Sequence, residues 1–222
     1  LEVELDKDII INLYNEKEKG SIEITKYLES YDYEKKVYNY ELGDNIVFNL
    51  YALEDVITKD GVLHYEKDEL VSTCKTDDGK CIFADLILGK YYVKEEVPNG
   101  YIDNNEIYTF DLINRKNNFL TIRNNLKKAN IKIEKKDIDS NNLIEDSEVV
   151  INVIDENKEY IYIDGSKDLS ISKDGTLIIN NLPLGIYTIK EVSTNKEYKL
   201  NTNFLEVELD KDIIINLYNE KE

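Results

Sequence analysis

The chain has no Met and no Trp, and among its 222 residues only two Pro, two Cys, one His and two Arg. Each shortage excludes something. A single His, His64, with two Cys gives no Cys/His zinc-ligand pattern and offers little for a His-centred catalytic triad. Neither a metal nor a cofactor is expected, and any chemistry must use other groups. Two Cys also exclude a disulfide-dense scaffold and leave Cys74 and Cys81 as one candidate pair. No run of about 20 apolar residues occurs, so no segment matches a membrane-spanning helix, and no signal peptide is visible. Without any Met, the sequence reads as an internal stretch of a longer protein. Positive charge is scarce too: 28 Lys and Arg stand against 46 Asp and Glu, a net charge of −18. Like-charge repulsion then argues against nucleic acid or an anionic membrane as partner.

What is present favours strands. Seventeen Tyr and many Ile and Val accompany the two Pro, and a hydrophobic content of 41% suffices for cored domains. Residues 1–18, LEVELDKDIIINLYNEKE, return letter for letter as residues 205–222. Self-similarity at a fixed offset marks a repeat array, and an offset of this length holds whole domains rather than solenoid turns. At about 100 residues per small domain, the unit holds two. The expected division is 1–18, the terminal strand of a preceding repeat; 19–126, a first domain; and 127–222, a second. Asn15 then closes a strand whose own domain lies upstream.

Period-2 alternation is widespread, as in GSIEITK (20–26) and ANIKIEK (129–135), and predicts an all-β sandwich architecture. Further strands are predicted at 46–52, 81–86, 91–97, 107–113, 119–124, 149–155, 176–182, 185–192 and 212–219. Asp-Gly and Pro-Asn-Gly turn signals separate them. Residues 53–59 and 67–73 are ambiguous and read as a short helix or irregular insertion. The Tyr-rich stretch 27–44 reads as strand residues packed across the sandwich, with a ligand-binding face as the alternative. DIDSNNLIED (137–146) has acidic spacing like a calcium loop but lacks the central Gly and the spaced final Glu, so no metal is assigned to it. If the segment KTDDGK is a hairpin tip, Cys74 and Cys81 face each other across it and a disulfide is possible; otherwise they are separate thiols.

The strands repeat in order. GSIEITK corresponds to ANIKIEK, GKYYVKE (89–95) to GIYTIKE (185–191), and the run ending in Asn124 to that ending in Asn219. With DGKCIFADLILGKYYVKEEVPNGY (78–101), the chain resembles the B-type repeat domains of Gram-positive collagen adhesins, also called SpaA-type pilin domains. The first domain carries the family's Lys26, Asp78-Gly79, Gly89, Tyr91, Glu95, Pro98, Gly100, Tyr101 and Asn124. The second carries Lys135, Asp174-Gly175, Gly185, Tyr187, Glu191 and Asn219, with STNKEY (193–198) in place of the Pro-x-Gly-Tyr tail. The resemblance implies two tandem transthyretin-like, immunoglobulin-like β-sandwiches. Each would carry an internal isopeptide bond, Lys26–Asn124 assisted by Glu95 and Lys135–Asn219 assisted by Glu191.

Residue phase agrees with that implication. Each Lys follows two Ile in phase, and each Asn follows two apolar residues in phase, so period 2 turns both inward. Burial favours a neutral, nucleophilic amine. A buried, protonated carboxyl can hydrogen-bond the Asn carbonyl oxygen and relay a proton as ammonia leaves. This is a single-turnover self-modification and not enzymatic turnover. Taken alone, an inward strand Lys snorkels or forms a plain ion pair; the trio recurring twice at matching places favours the bond. Three functions follow: a stalk or spacer of a cell-wall-attached, extracellular Gram-positive adhesin, with neighbouring repeats as partners; a module binding a host extracellular-matrix or cell-surface ligand; or a pilus subunit.

Overall fold

The structure, a computed structural model, describes residues 18–32, 35, 37–113, 117–145 and 148–222. Residues 1–17, and with them Asn15 and the expected leading strand, lie outside the described residues. The described residues form strands and no helix. In order these are β1 (Lys19–Asp32), β2 (Val37–Leu42), β3 (Val47–Ala52), β4 (Val56–Ile57), β5 (Leu63–Tyr65), β6 (Leu70–Lys75), β7 (Lys80–Ile87), β8 (Gly89–Glu96), β9 (Tyr108–Leu112) and β10 (Asn117–Asn124). The second half continues with β11 (Lys128–Asp137), β12 (Val150–Asp155), β13 (Leu169–Ser170), β14 (Thr176–Pro183), β15 (Gly185–Ser193), β16 (Leu205–Leu209) and β17 (Ile213–Asn219).

Each half is a two-sheet sandwich around its own core. In the first, β1 carries β10 on one side and β7 and β2 on the other, opposite the sheet β6-β3-β8-β9. Ile22, Ile24 and Phe83 from one sheet meet Phe48, Leu50, Tyr91 and Val93 from the other. In the second half, β14-β11-β17 packs on β13-β12-β15-β16, with Ile131, Ile133, Val153 and Tyr187 at the centre. The alternation seen in the sequence is the alternation of burial: every second residue of β1 from Gly20 to Lys26, and every second residue of β11, is buried.

The first and last strands of each sandwich run parallel. Lys26 pairs with Ile122 and Leu28 with Asn124; Lys135 pairs with Leu217 and Asp137 with Asn219. The chain therefore enters each sandwich at one end and leaves it at the other.

Two expectations are corrected. The ambiguous stretches contain no helix: Val56–Ile57 pairs with Leu63–Tyr65 as a small ribbon, and residues 70–75 form an edge strand on β3. Their polar, weakly periodic sequence reflects edge positions with little buried surface. The Tyr-rich stretch is stranded, as expected, but β2 is largely exposed and does not pack across the sandwich core; it extends β1 sideways as an antiparallel ladder.

Candidate functional site

The parallel register determines which side chains can meet. Residues two apart on a strand share a face, so Lys26, opposite Ile122, shares the core face with Asn124, and Lys135, opposite Leu217, shares it with Asn219. The facing sheet supplies the acid. Glu95 on β8 lies opposite Phe48, and Glu191 on β15 lies opposite Ile151. Both Lys side chains are fully enclosed.

The second cluster is completely connected. Lys135 Nζ donates to Glu191 Oε2 at 2.5 Å and also to Asn219 Oδ1. Asn219 Nδ2 donates to Glu191 Oε1 at 2.7 Å, with Lys199 O at 2.9 Å and Thr194 Oγ1 at 3.1 Å around the same nitrogen. Thr194 belongs to the segment that replaces the Pro-x-Gly-Tyr tail, and Lys199 directly follows it. Sequence reasoning did not find them, because a lone Thr and a backbone carbonyl carry no motif.

The first cluster is looser. Lys26 Nζ sits 3.2 Å from Glu95 Oε1, an ion pair without hydrogen-bond geometry, and among the described residues the amine has no hydrogen-bond partner. Asn124 Nδ2 donates to the same Glu95 oxygen at 2.8 Å. A groove of about 220 Å³, lined by Glu95, Asp103, Glu106, Tyr108, Arg123 and Asn124 among others, opens this cluster on one side.

Burial dominates the electrostatics. Desolvation pulls the Lys26 ammonium below its ordinary value, and the facing Glu95 only partly opposes it. Lys135 is depressed for the same first cause. Desolvation pushes the Glu95 carboxyl up, against the pull of Lys26 and the Asn124 hydrogen bond. One expectation differs from the geometry: each Glu faces the carboxamide nitrogen and not its oxygen. In this arrangement a Glu oxygen is the acceptor and the Asn N–H the donor.

The motif residues frame the clusters. The Lys26 N–H donates to Gly79 O at 2.8 Å, and the Lys135 N–H to Gly175 O at 2.9 Å. Both glycines have positive φ, +68° and +77°, where a side chain is strained. The Tyr91 hydroxyl donates to Ile87 O at 2.6 Å, and the Tyr187 hydroxyl to Pro183 O at 2.7 Å, tying each acid-bearing strand to its preceding turn.

Cys74 and Cys81 are joined, with Cα atoms 5.8 Å apart. The link does not cross a hairpin ladder. Cys74 pairs with Phe48 in one sheet and Cys81 with Ile24 in the other, so it bridges the two sheets at the corner where the chain changes sheet. In the acidic 137–146 stretch, the Asp137 carboxylate accepts from the Asp139 and Ser140 N–H groups and from the Tyr198 hydroxyl, and so caps a turn.

A family model described as SpaA, a prealbumin-like fold domain, matches the chain twice, over residues 39–126 and 129–221. The solved structure of the Bacillus anthracis TIE protein is similar over 92% of this chain, at 20% identity and a TM-score of 0.65; this chain spans 34% of that one. The minor pilin GBS52 of Streptococcus agalactiae aligns over 91% of this chain and 96% of its own, at 19% identity and a TM-score of 0.41. The shaft pilin SpaA of Lactobacillus rhamnosus GG aligns over 92% and 98%, at 11% identity and a TM-score of 0.37. No curated protein matches the chain. Among the described residues, no helix is long and apolar enough to cross a membrane, which says nothing of β-barrels.

Proposed function

Because the chain belongs to the SpaA prealbumin-like domain family, we propose that it is a stalk segment of a Gram-positive surface protein, locked by two self-formed isopeptide bonds, Lys26–Asn124 and Lys135–Asn219. The division at residues 126 and 127 is part of this proposal, as is an extracellular, wall-attached setting with neighbouring repeats as partners. The observation that carries it is the recurrence of one geometry: an enclosed Lys, a carboxamide two residues past its parallel partner, and a Glu from the facing sheet touching both.

The steps balance as follows. Glu191 takes a proton from the Lys135 ammonium, and the free amine attacks Asn219 Cγ. The new C–N bond gives a tetrahedral centre carrying an oxyanion and a protonated nitrogen. Glu191 passes its proton to Nδ2, whose C–N bond breaks as the carbonyl re-forms, releasing ammonia. The new amide nitrogen then returns a proton to Glu191, which ends protonated. Glu95 does the same between Lys26 and Asn124. Holding the three groups against one another, with the Lys fully enclosed, supplies the effective concentration that makes the attack feasible, and each Glu serves as general base and then general acid.

The test is the intact mass of the denatured, reduced protein. A deficit of two ammonia molecules relative to the sequence is expected, and a deficit of one in Asn124→Ala or Asn219→Ala. The full sequence mass would overturn the proposal and leave two ordinary sandwiches.

A further inference from the structure

We propose that the tyrosine-rich ladder formed by the end of β1 with β2 is a clamp whose partner is the start of the second sandwich, so that the two sandwiches are held at a fixed angle. This inference does not depend on whether the isopeptide bonds form.

The ladder goes beyond what the first core requires. β1 continues past Lys26 to Asp32, and this extension pairs with β2: Tyr27 opposite Leu42, Glu29 opposite Tyr40, Tyr31 opposite Tyr38. Those residues share the face pointing away from the first core. Yet Glu29 is only 6% exposed, because the connecting residues 125–128 lie across it. Its carboxylate accepts the Leu126 N–H at 2.9 Å and pairs with Lys128 Nζ at 3.0 Å. Lys128 Nζ also stands 3.4 Å from the centre of the Tyr38 ring, a cation–π contact. The Tyr40 hydroxyl donates to Asn125 Oδ1, and the Tyr38 hydroxyl to Asn181 O on β14 of the second sandwich.

The other side of the connection is held as well. The Ile102 N–H donates to Asn125 O, the Lys127 N–H to Gly100 O, and the Leu184 N–H of the second sandwich to Lys127 O. The Tyr101 hydroxyl donates to Glu29 O at 3.1 Å, fastening the Pro-x-Gly-Tyr turn to the ladder. Every connecting residue from 125 to 128 thus has a hydrogen-bonded or charged partner in one sandwich or the other, and the charge pair at its centre is mostly shielded from water, where such contacts are strongest. The second sandwich has no such ladder among the described residues: after β11 the chain makes one isolated bridge, Lys136 to Leu143.

Residual dipolar couplings and amide exchange on the whole chain test the clamp. The two sandwiches of the unaltered protein are expected to share one alignment tensor. A Glu29→Ala, Tyr38→Ala variant is expected to show two different tensors. Exchange at the Leu126 and Lys127 amides should accelerate by at least about tenfold, as befits the loss of a charge-assisted contact. Unchanged chemical shifts of core amides at Ile24 and Ile133 report that both sandwiches still fold. Independent tensors in the unaltered protein would overturn the proposal whatever the variant does. So would a folded variant that keeps one tensor and its amide protection. Tyr38→Phe, which removes only the hydroxyl reaching Asn181, gives an intermediate change if the clamp operates and none if it does not.

Discussion

Pulling on the two ends of the molecule separates a cross-linked stalk from a pair of ordinary sandwiches. Because β1 and β10 run parallel, force entering at β1 and leaving past Asn124 loads their ladder in shear. Lys26 and Asn124 are 98 residues apart, and a fully extended residue spans at most about 3.6 Å, so unfolding an unlinked first sandwich releases roughly 350 Å of chain less its folded span. Lys135 and Asn219 are 84 residues apart, which gives roughly 300 Å for the second. With both bonds formed, force passes from Lys26 directly to Asn124, along the connection to Lys135, and directly to Asn219. The stretch from Asn124 to Lys135 spans 11 residues, at most roughly 40 Å, and most of it is already the extended β11. Asn124→Ala is the preferred perturbation because it leaves the Lys26–Glu95 pair intact; removing either partner would strand a buried charge at a cost of about 3–5 kcal/mol. Single-molecule stretching should show neither long step in the unaltered protein, a step below roughly 350 Å in Asn124→Ala, shortened by the folded span and by the loop that the Cys74–Cys81 link closes, and one below roughly 300 Å in Asn219→Ala. Either long step in molecules that have lost both ammonias would refute the reasoning.

Four further outcomes follow from the same geometry. Loss of the second bond in Asn219→Ala removes a cross-link over a loop of that size, about 4.5 kcal/mol in the chain-entropy model, and should lower the melting temperature of that sandwich by about 20–35 °C in calorimetry. Bond formation in the first sandwich, followed by mass after refolding at different pH, should have a plateau: acid converts the pair to ammonium and carboxylic acid and abolishes the nucleophile, while alkali strips the Lys26 ammonium proton that Glu95 would take up and hand to the departing nitrogen. Since burial lowers Lys26 and raises Glu95, both limbs are drawn inward from the ordinary Lys and Glu values, and a rate that climbs steadily into alkali would contradict this. Thr194→Val should slow bond formation in the second sandwich by up to about tenfold by removing one acceptor from Asn219 Nδ2, with Thr194→Ser restoring it. In the Asn124→Ala background, replacing Cys74 and Cys81 together by Ser should cost about 2.5 kcal/mol in urea unfolding, from the short loop they close.

The strands and their inward faces were legible because burial here follows period 2 almost without interruption, as in the alternation Ile22, Ile24, Lys26 and Ile131, Ile133, Lys135. The Asp-Gly turns were legible because positive φ at Gly79 and Gly175 demands that residue. Register was not. Nothing in GSIEITK says that its parallel partner places Ile122, and not Asn124, opposite Lys26, since pairing across about a hundred residues depends on the whole sandwich closing. The strands β4 and β6 are ambiguous in the sequence because a short or edge strand buries little and carries weak alternation. The cysteines could not be assigned to different sheets, because TDDG at 76–79 reads as a hairpin tip whether the chain turns within a sheet or crosses between two. Residues 27–44 read as packing across the core, whereas Tyr38 and Tyr40 on the largely exposed β2 reach Asn181, Asn125 and Lys128, contacts between positions 85 or more apart that no local pattern announces.

The same parallel pairing that puts the strands in shear also sets when the proposed bonds can form. Asn124 and Asn219 sit at the last residues of the last strands, so neither can meet its Lys until the full sandwich has been made and its two terminal strands have paired. That pairing is the most non-local contact in each domain, and non-local contacts close slowly against loop entropy. A partly folded chain leaves the Lys amine hydrated, hence protonated and unreactive. Only the closed core removes the water, lowers the affinity of the amine for its proton and brings up the Glu from the opposite sheet. The proposed bond would therefore act as a record of correct folding as well as a lock: it could be written only on the native arrangement, and once written it would prevent the terminal strands from being pulled apart. A stalk that must carry load needs both properties in the same two strands, which is where the Lys and the Asn lie.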